Sequence, residues 1–153
     1  MPGREQVVAQ LNAALASELT AVVEYMVQAQ TCHNRGQARL GEYLRKSAAE
    51  ELQHAEQLIQ RIVLLNSIPD VDVVVAPKPA ADVQHQLDES LDHKKKAVQQ
   101  YTSAMQVCSE ASDNGSRYLF ETMASDEERR AQILETQLRS LRALAGHHPD
   151  HAA

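Results

Sequence analysis

The sequence predicts an all-α fold, a four-helix bundle built from two antiparallel hairpins joined by a long crossover. Three observations predict it: a composition poor in strand and turn formers, breakers that leave four long segments, and an apolar stripe at three-and-four spacing along each segment. The chain has 153 residues, about the length of one domain and enough to bury a proper core. Five Gly, five Pro, one Phe and no Trp are too few for a many-stranded sandwich or barrel. Ala, Leu, Gln and Glu, all good helix formers, are plentiful.

Charge and cysteine usage narrow the function classes. Charged residues make up 24% of the chain and the formal net charge is -6, so no basic field draws in phosphate backbones and no nucleic-acid partner is expected. The opening MPGREQVV leads into an amphipathic pattern without an apolar signal core, and no run of eighteen apolar residues follows. The expectation is a soluble, cytoplasmic protein with no membrane partner. Two cysteines, Cys32 and Cys108, make no disulfide framework and read as buried free thiols.

The breakers fall at Pro2-Gly3, Gly36, Pro69 to Pro79, Gly115, and Gly146 to Pro149, with Gly41 inside an otherwise helical pattern. They leave segments 4–34, 38–66, 82–112 and 116–144, each about 45 Å long if helical. The first and last connections are short. The middle one, with Val71, Val73, Val74 and Val75 followed by Pro77 and Pro79, is long enough to travel the bundle and start the third helix beside the start of the second. That topology places Cys32 and Cys108 at opposite ends, too far apart for a disulfide. The bundle is assigned to residues 1–146, and 147–153 to a disordered, weakly metal-binding tail with His147, His148 and His151.

Each apolar stripe is interrupted by charge near its middle. The first runs Val8, Leu11, Leu15, Glu18, Val22, Tyr25; the second Leu40, Leu44, Ser47, Glu51, His54, Leu58, Ile62, Leu65. The third runs Val83, Leu87, Leu91, Lys94, Val98, Tyr101, Met105, Cys108, and the fourth Phe120, Met123, Glu127, Arg130, Leu134, Leu138, Leu141. Glu51 and His54 lie one turn apart on one face, as do Glu127 and Arg130. Four antiparallel helices bring all six interruptions to one level. Lys95 and Lys96, by contrast, belong to a solvated face.

A Glu from each of two helices with a Glu-x-x-His from each of the other two is the metal-binding constellation of ferritin-like di-iron bundles. The sequence resembles the bacterioferritins within that family, through SELTAVVEY around Glu18, the NRG corner, EELQHAEQLIQRI, IPDV and SDEERR, over nearly the whole chain to Gly146. The resemblance implies six ligand positions. Glu18, Glu51, His54 and Glu127 keep theirs, whereas Lys94 replaces a carboxylate and Arg130 the second imidazole. Three carboxylates against two cations leave a single negative charge, which a protonated His54 cancels, so an internal salt-bridge network competes with a residual single-metal site on Glu18, Glu51 and His54. Tyr25 matches the family tyrosine near the centre and is given a packing and hydrogen-bonding role.

The same resemblance implies haem at a two-fold interface, held by a methionine just after the Glu of the second helix. Leu52 stands there, so haem is not expected in the homomer. Met26, Met105 and Met123 read as core or interface filler. The function implied is an iron-storage shell subunit of a 24-subunit cage, with an impaired ferroxidase centre, weak or absent iron at the intrasubunit site, and an active sister subunit in a mixed cage. The alternative is an active ferroxidase that uses the retained ligands to oxidise Fe(II) with dioxygen. A stand-alone bundle unrelated to iron is the third reading, and a monomer or simple dimer in solution would favour it.

Overall fold

The computed structural model describes residues 2–71 and 82–146. Four helices fill them: α1 (Pro2–Asn34), α2 (Ala38–Leu64), α3 (Val83–Glu110) and α4 (Asn114–Ala145). α1 packs along α2 and α3 along α4, and α1 also lies beside α3. One core cluster joins Cys32 at the end of α1 to Leu44 early in α2, Val83 and Leu87 at the start of α3, and Leu138 late in α4. The starts of α2 and α3 therefore share one end of the bundle. Val71 packs into the other cluster, with Val7, Ile62 and Cys108, and the Asp70 amide donates to Asn12 Oδ1 at 2.9 Å. The chain thus leaves α2 at one end and begins α3 at the other, as a crossover requires. Val73 to Val75, Pro77, Pro79 and the His147–Ala153 tail lie outside the described residues.

The helix ends explain the boundaries. After α1, Gly36 takes φ 75°, its amide donates to the His33 carbonyl, and the Gln37 amide donates to Cys32. This is a Schellman closure, which favours glycine because no Cβ opposes the left-handed backbone. Asn66 and Ser112 close α2 and α3 the same way at φ 54° and 56°. Asp82 and Asp113 cap the next two helices through the amides of His85 and Ser116.

Three sequence expectations need correction. Gly115 is not a breaker: α4 starts at Asn114, and a Cβ at Gly115 would meet the Arg61 guanidinium at 2.6 Å, so the glycine makes room for a side chain from α2. Gly3 likewise lies inside α1, which starts at Pro2, since proline is tolerated in a first turn. The stripes also shift by one residue in places: Val7, Ala21, Ala97 and Ala104 are buried, whereas Val8, Val22, Val98 and Met105 are half-buried. Cys32 and Cys108 are both free and buried. α1 is long and apolar enough to cross a membrane, but 44% of its most apolar window is buried inside the bundle.

Candidate metal centre

Midway along the bundle the four helices each turn charge inward. α1 contributes Glu18, α2 Glu51 and His54, α3 Lys94, and α4 Glu127 and Arg130, and all six side chains are buried. One ligand atom from each of Glu18, Glu51, His54 and Glu127 lies within 4.8 Å of the other three. Lys94 Nζ reaches into this ring, donating to Glu51 Oε1 at 2.7 Å and to Glu127 Oε2 at 3.1 Å. Arg130 Nη1 donates to Glu51 Oε1 at 3.2 Å and Glu127 Oε1 at 3.4 Å, with its Nε 3.3 Å from Glu50 Oε2. The Tyr25 ring lies under Lys94, with the ammonium 5.1 Å from its centroid.

His54 is held from both sides. Its Nε2 lies 2.9 Å from Asp126 Oδ2, while Nδ1 faces Glu127, Glu18 and Glu51 at 3.4, 3.5 and 3.7 Å. Burial works against the imidazolium, but the surrounding Glu127, Glu18 and Glu51 carboxyls outweigh it and push the His54 pKa up to about 12. Glu18 moves the other way from Glu51. Burial, then the neighbouring Glu51 carboxyl, raises Glu18 well above the ordinary range, toward the protonated form. Burial opposes ionisation of Glu51 too, yet bonds from Glu18 and His54 and the Lys94 charge hold it well below that range. Lys94 is raised above the ordinary lysine value, because Tyr25, Glu51 and Glu127 overcome the burial that opposes its charge. The Tyr101 hydroxyl donates to Glu18 Oε1. Among the described residues, Glu18 Oε2 and His54 Nδ1 have no hydrogen-bond partner.

The six inward positions expected from the stripes thus converge. The stripes did not reveal Asp126, Glu50 or Tyr101. Asp126 and Glu50 each precede an inward Glu by one residue, which puts them on the flank of the stripe, where they reach across to the next helix. Tyr101 lies on the third stripe, where periodicity gives its inward direction and not the partner of its hydroxyl.

The donor set does not fit a pair of metal ions as it stands. Lys94 and Arg130 offer N–H donors and no lone pair, and both are already bonded to the carboxylates that would have to bind metal. Leu52 lies exposed on the outer side of α2, 44% accessible, and offers only carbon to a haem iron. Met26 is exposed, Met105 half-buried and Met123 buried in the core. Lys95 and Lys96 are exposed and pair with Glu135 and Asp92.

The Ferritin-like domain family matches residues 8–144. The bacterioferritin of Mycolicibacterium paratuberculosis is 31% identical over 138 residues, which cover 90% of this chain and 87% of that one. The bacterioferritin of Rhodobacter capsulatus is 33% identical, with 90% and 86% covered. Among solved structures, Mycobacterium tuberculosis bacterioferritin BfrA superposes with a TM-score of 0.86 at 29% identity, over 90% of this chain and 87% of that one. With its bundle, its inward carboxylates and these relatives aligned over most of their length, the chain belongs to the bacterioferritin family of ferritin-like proteins.

Proposed function

We propose that this chain is an iron-storage shell subunit whose intrasubunit centre is impaired as a ferroxidase, and that it works beside an active sister subunit in a mixed, 24-subunit cytoplasmic cage. The observation that carries the reading is the position of Lys94 Nζ, 2.7 Å from Glu51 and 3.1 Å from Glu127. A ferrous ion arriving there would have to displace an ammonium and a guanidinium from buried carboxylates. Two ions close enough to deliver two electrons to one dioxygen would also lack one carboxylate and one terminal nitrogen. The shell wall, its pores and the carboxylates for mineral growth need no such centre.

A second reading rests on its own observation. Glu18, Glu51, His54 and Glu127 keep one ligand atom each within 4.8 Å, and Glu18 Oε2 and His54 Nδ1 make no hydrogen bond, so the retained set supports an active ferroxidase as the alternative. Stopped-flow oxidation of ferrous iron by the homomer separates the two. We expect a rate close to that of buffer, with fast, saturable oxidation recovered by Lys94→Glu combined with Arg130→His. A rapid phase of about two irons per chain in the unaltered protein would overturn the proposal, as would a double variant that folds, assembles and stays inert.

A further inference from the structure

A second constellation lies on the α1–α3 side of the bundle. Glu24 Oε2 and His93 Nδ1 face each other 3.4 Å apart across the two helices, and both side chains are about one-quarter exposed, 28% and 25%. The other ring nitrogen, His93 Nε2, lies 3.2 Å from Ser17 Oγ, which stands two turns before Glu24 on the same face of α1. The two nitrogens have different partners, and the ring can take either tautomer between them. When Nε2–H donates to the serine hydroxyl, the Nδ1 lone pair points at the carboxylate, the orientation that a histidine ligand needs from its outer partner.

The separation is that of an ion pair, as in His85–Glu89 at 3.3 Å, and it also admits a shared ion. Two ligands that share one ion at bonds of about 2.0–2.1 Å and a tetrahedral angle stand roughly 3.3–3.4 Å apart. Behind the pair, a cavity of about 10 Å³ runs inward past Ser90 to Glu18 and Lys94, room for a single water. The Lys94 ammonium at its inner end repels a cation and keeps it at the mouth.

We propose that Glu24 and His93 form a binding site for one borderline divalent cation of the zinc or ferrous class, held by a carboxylate oxygen and an imidazole nitrogen, with water completing the shell. Imidazole selects such ions over calcium or magnesium, which prefer all-oxygen sites. The site shares no ligand with the central ring, so it stands whether or not the chain stores iron.

Zinc is the probe. Crystals of the full-length protein soaked in zinc chloride should give an anomalous peak bonded to both Glu24 Oε2 and His93 Nδ1. In solution, calorimetric zinc titration should find one ion fewer per chain in His93→Gln and in Glu24→Gln than in the parent. Ser17→Ala should keep the ion but bind it about tenfold more weakly, because the serine only orients the ring. The proposal is overturned if soaked crystals show zinc elsewhere and none at this pair, or if both Gln variants keep the parent's stoichiometry and affinity. The two Gln variants alter different helices, so the failure of one to fold leaves the other as the test.

Discussion

Lys94 is the residue on which the centre depends, since its ammonium is the shared partner of two buried carboxylates. Lys94→Ala would leave Glu51 and Glu127 with Arg130 and the His54 imidazolium as their remaining cations and should destabilise the fold by on the order of 3–5 kcal/mol, read from denaturant unfolding. Unfolding within error of the parent would show that the lysine is effectively solvated. His54 gives a pH test. Its pKa is raised in the folded protein, so the stabilisation it brings is fully present below the unfolded value near 6.5 and is lost as pH climbs through about 12. The His54 ring resonances should therefore hold their imidazolium positions from pH ~5 to ~9 in an NMR titration, and a midpoint near 6.5 would contradict the assignment. Lys94 and Arg130 were legible in the sequence as inward charges because helical periodicity reports direction toward the core. Asp126, Glu50 and Tyr101 were not, because periodicity does not report which neighbouring helix a flanking or amphipathic side chain will reach.

At the scale of the elements, the turn between α3 and α4 is tied to α2. Asp113 Oδ1 accepts the Ser116 amide at 2.9 Å and the Arg61 Nη2 at 2.7 Å, while Arg61 Nε donates to Ser116 Oγ at 2.9 Å. One carboxylate therefore caps a helix and anchors an arginine from the other hairpin. Asp113→Ala should cost about 1–2 kcal/mol for the lost cap alone, with a further loss for unpaired Arg61. Arg61→Ala in the same background separates the two contributions, since a double-mutant cycle without coupling would show that Asp113 only caps. The helices themselves were readable from their breakers. Gly115 misled because a glycine that admits a distant guanidinium looks, in one dimension, like a glycine that ends a helix. Gly36 was readable because its role is local, set by a left-handed φ of 75°.

For the whole molecule, the order of hairpin, crossover and hairpin followed from one long link among short ones, and the structure has that order. Assembly gives the next tests. Coexpressed with an active bacterioferritin subunit, the chain should enter the same shells, and native mass spectrometry should find mixed compositions; strictly separate populations would refute the sister-subunit proposal. The homomer should purify without a Soret band, and Leu52→Met should introduce one if the pocket is intact.

The hairpins also divide the charge between them. Glu18, Glu51 and His54 belong to the first, whereas Lys94 and Arg130 enter with the second, alongside Glu127. The countercharge that closes the core is therefore part of the polypeptide and need not be recruited from solution. Contacts between the hairpins that form late in folding would slow unfolding more than they speed folding. Refolding should run at the same rate with chelator as with added ferrous ion, since Lys94 and Arg130 supply the countercharge whether or not a metal is present.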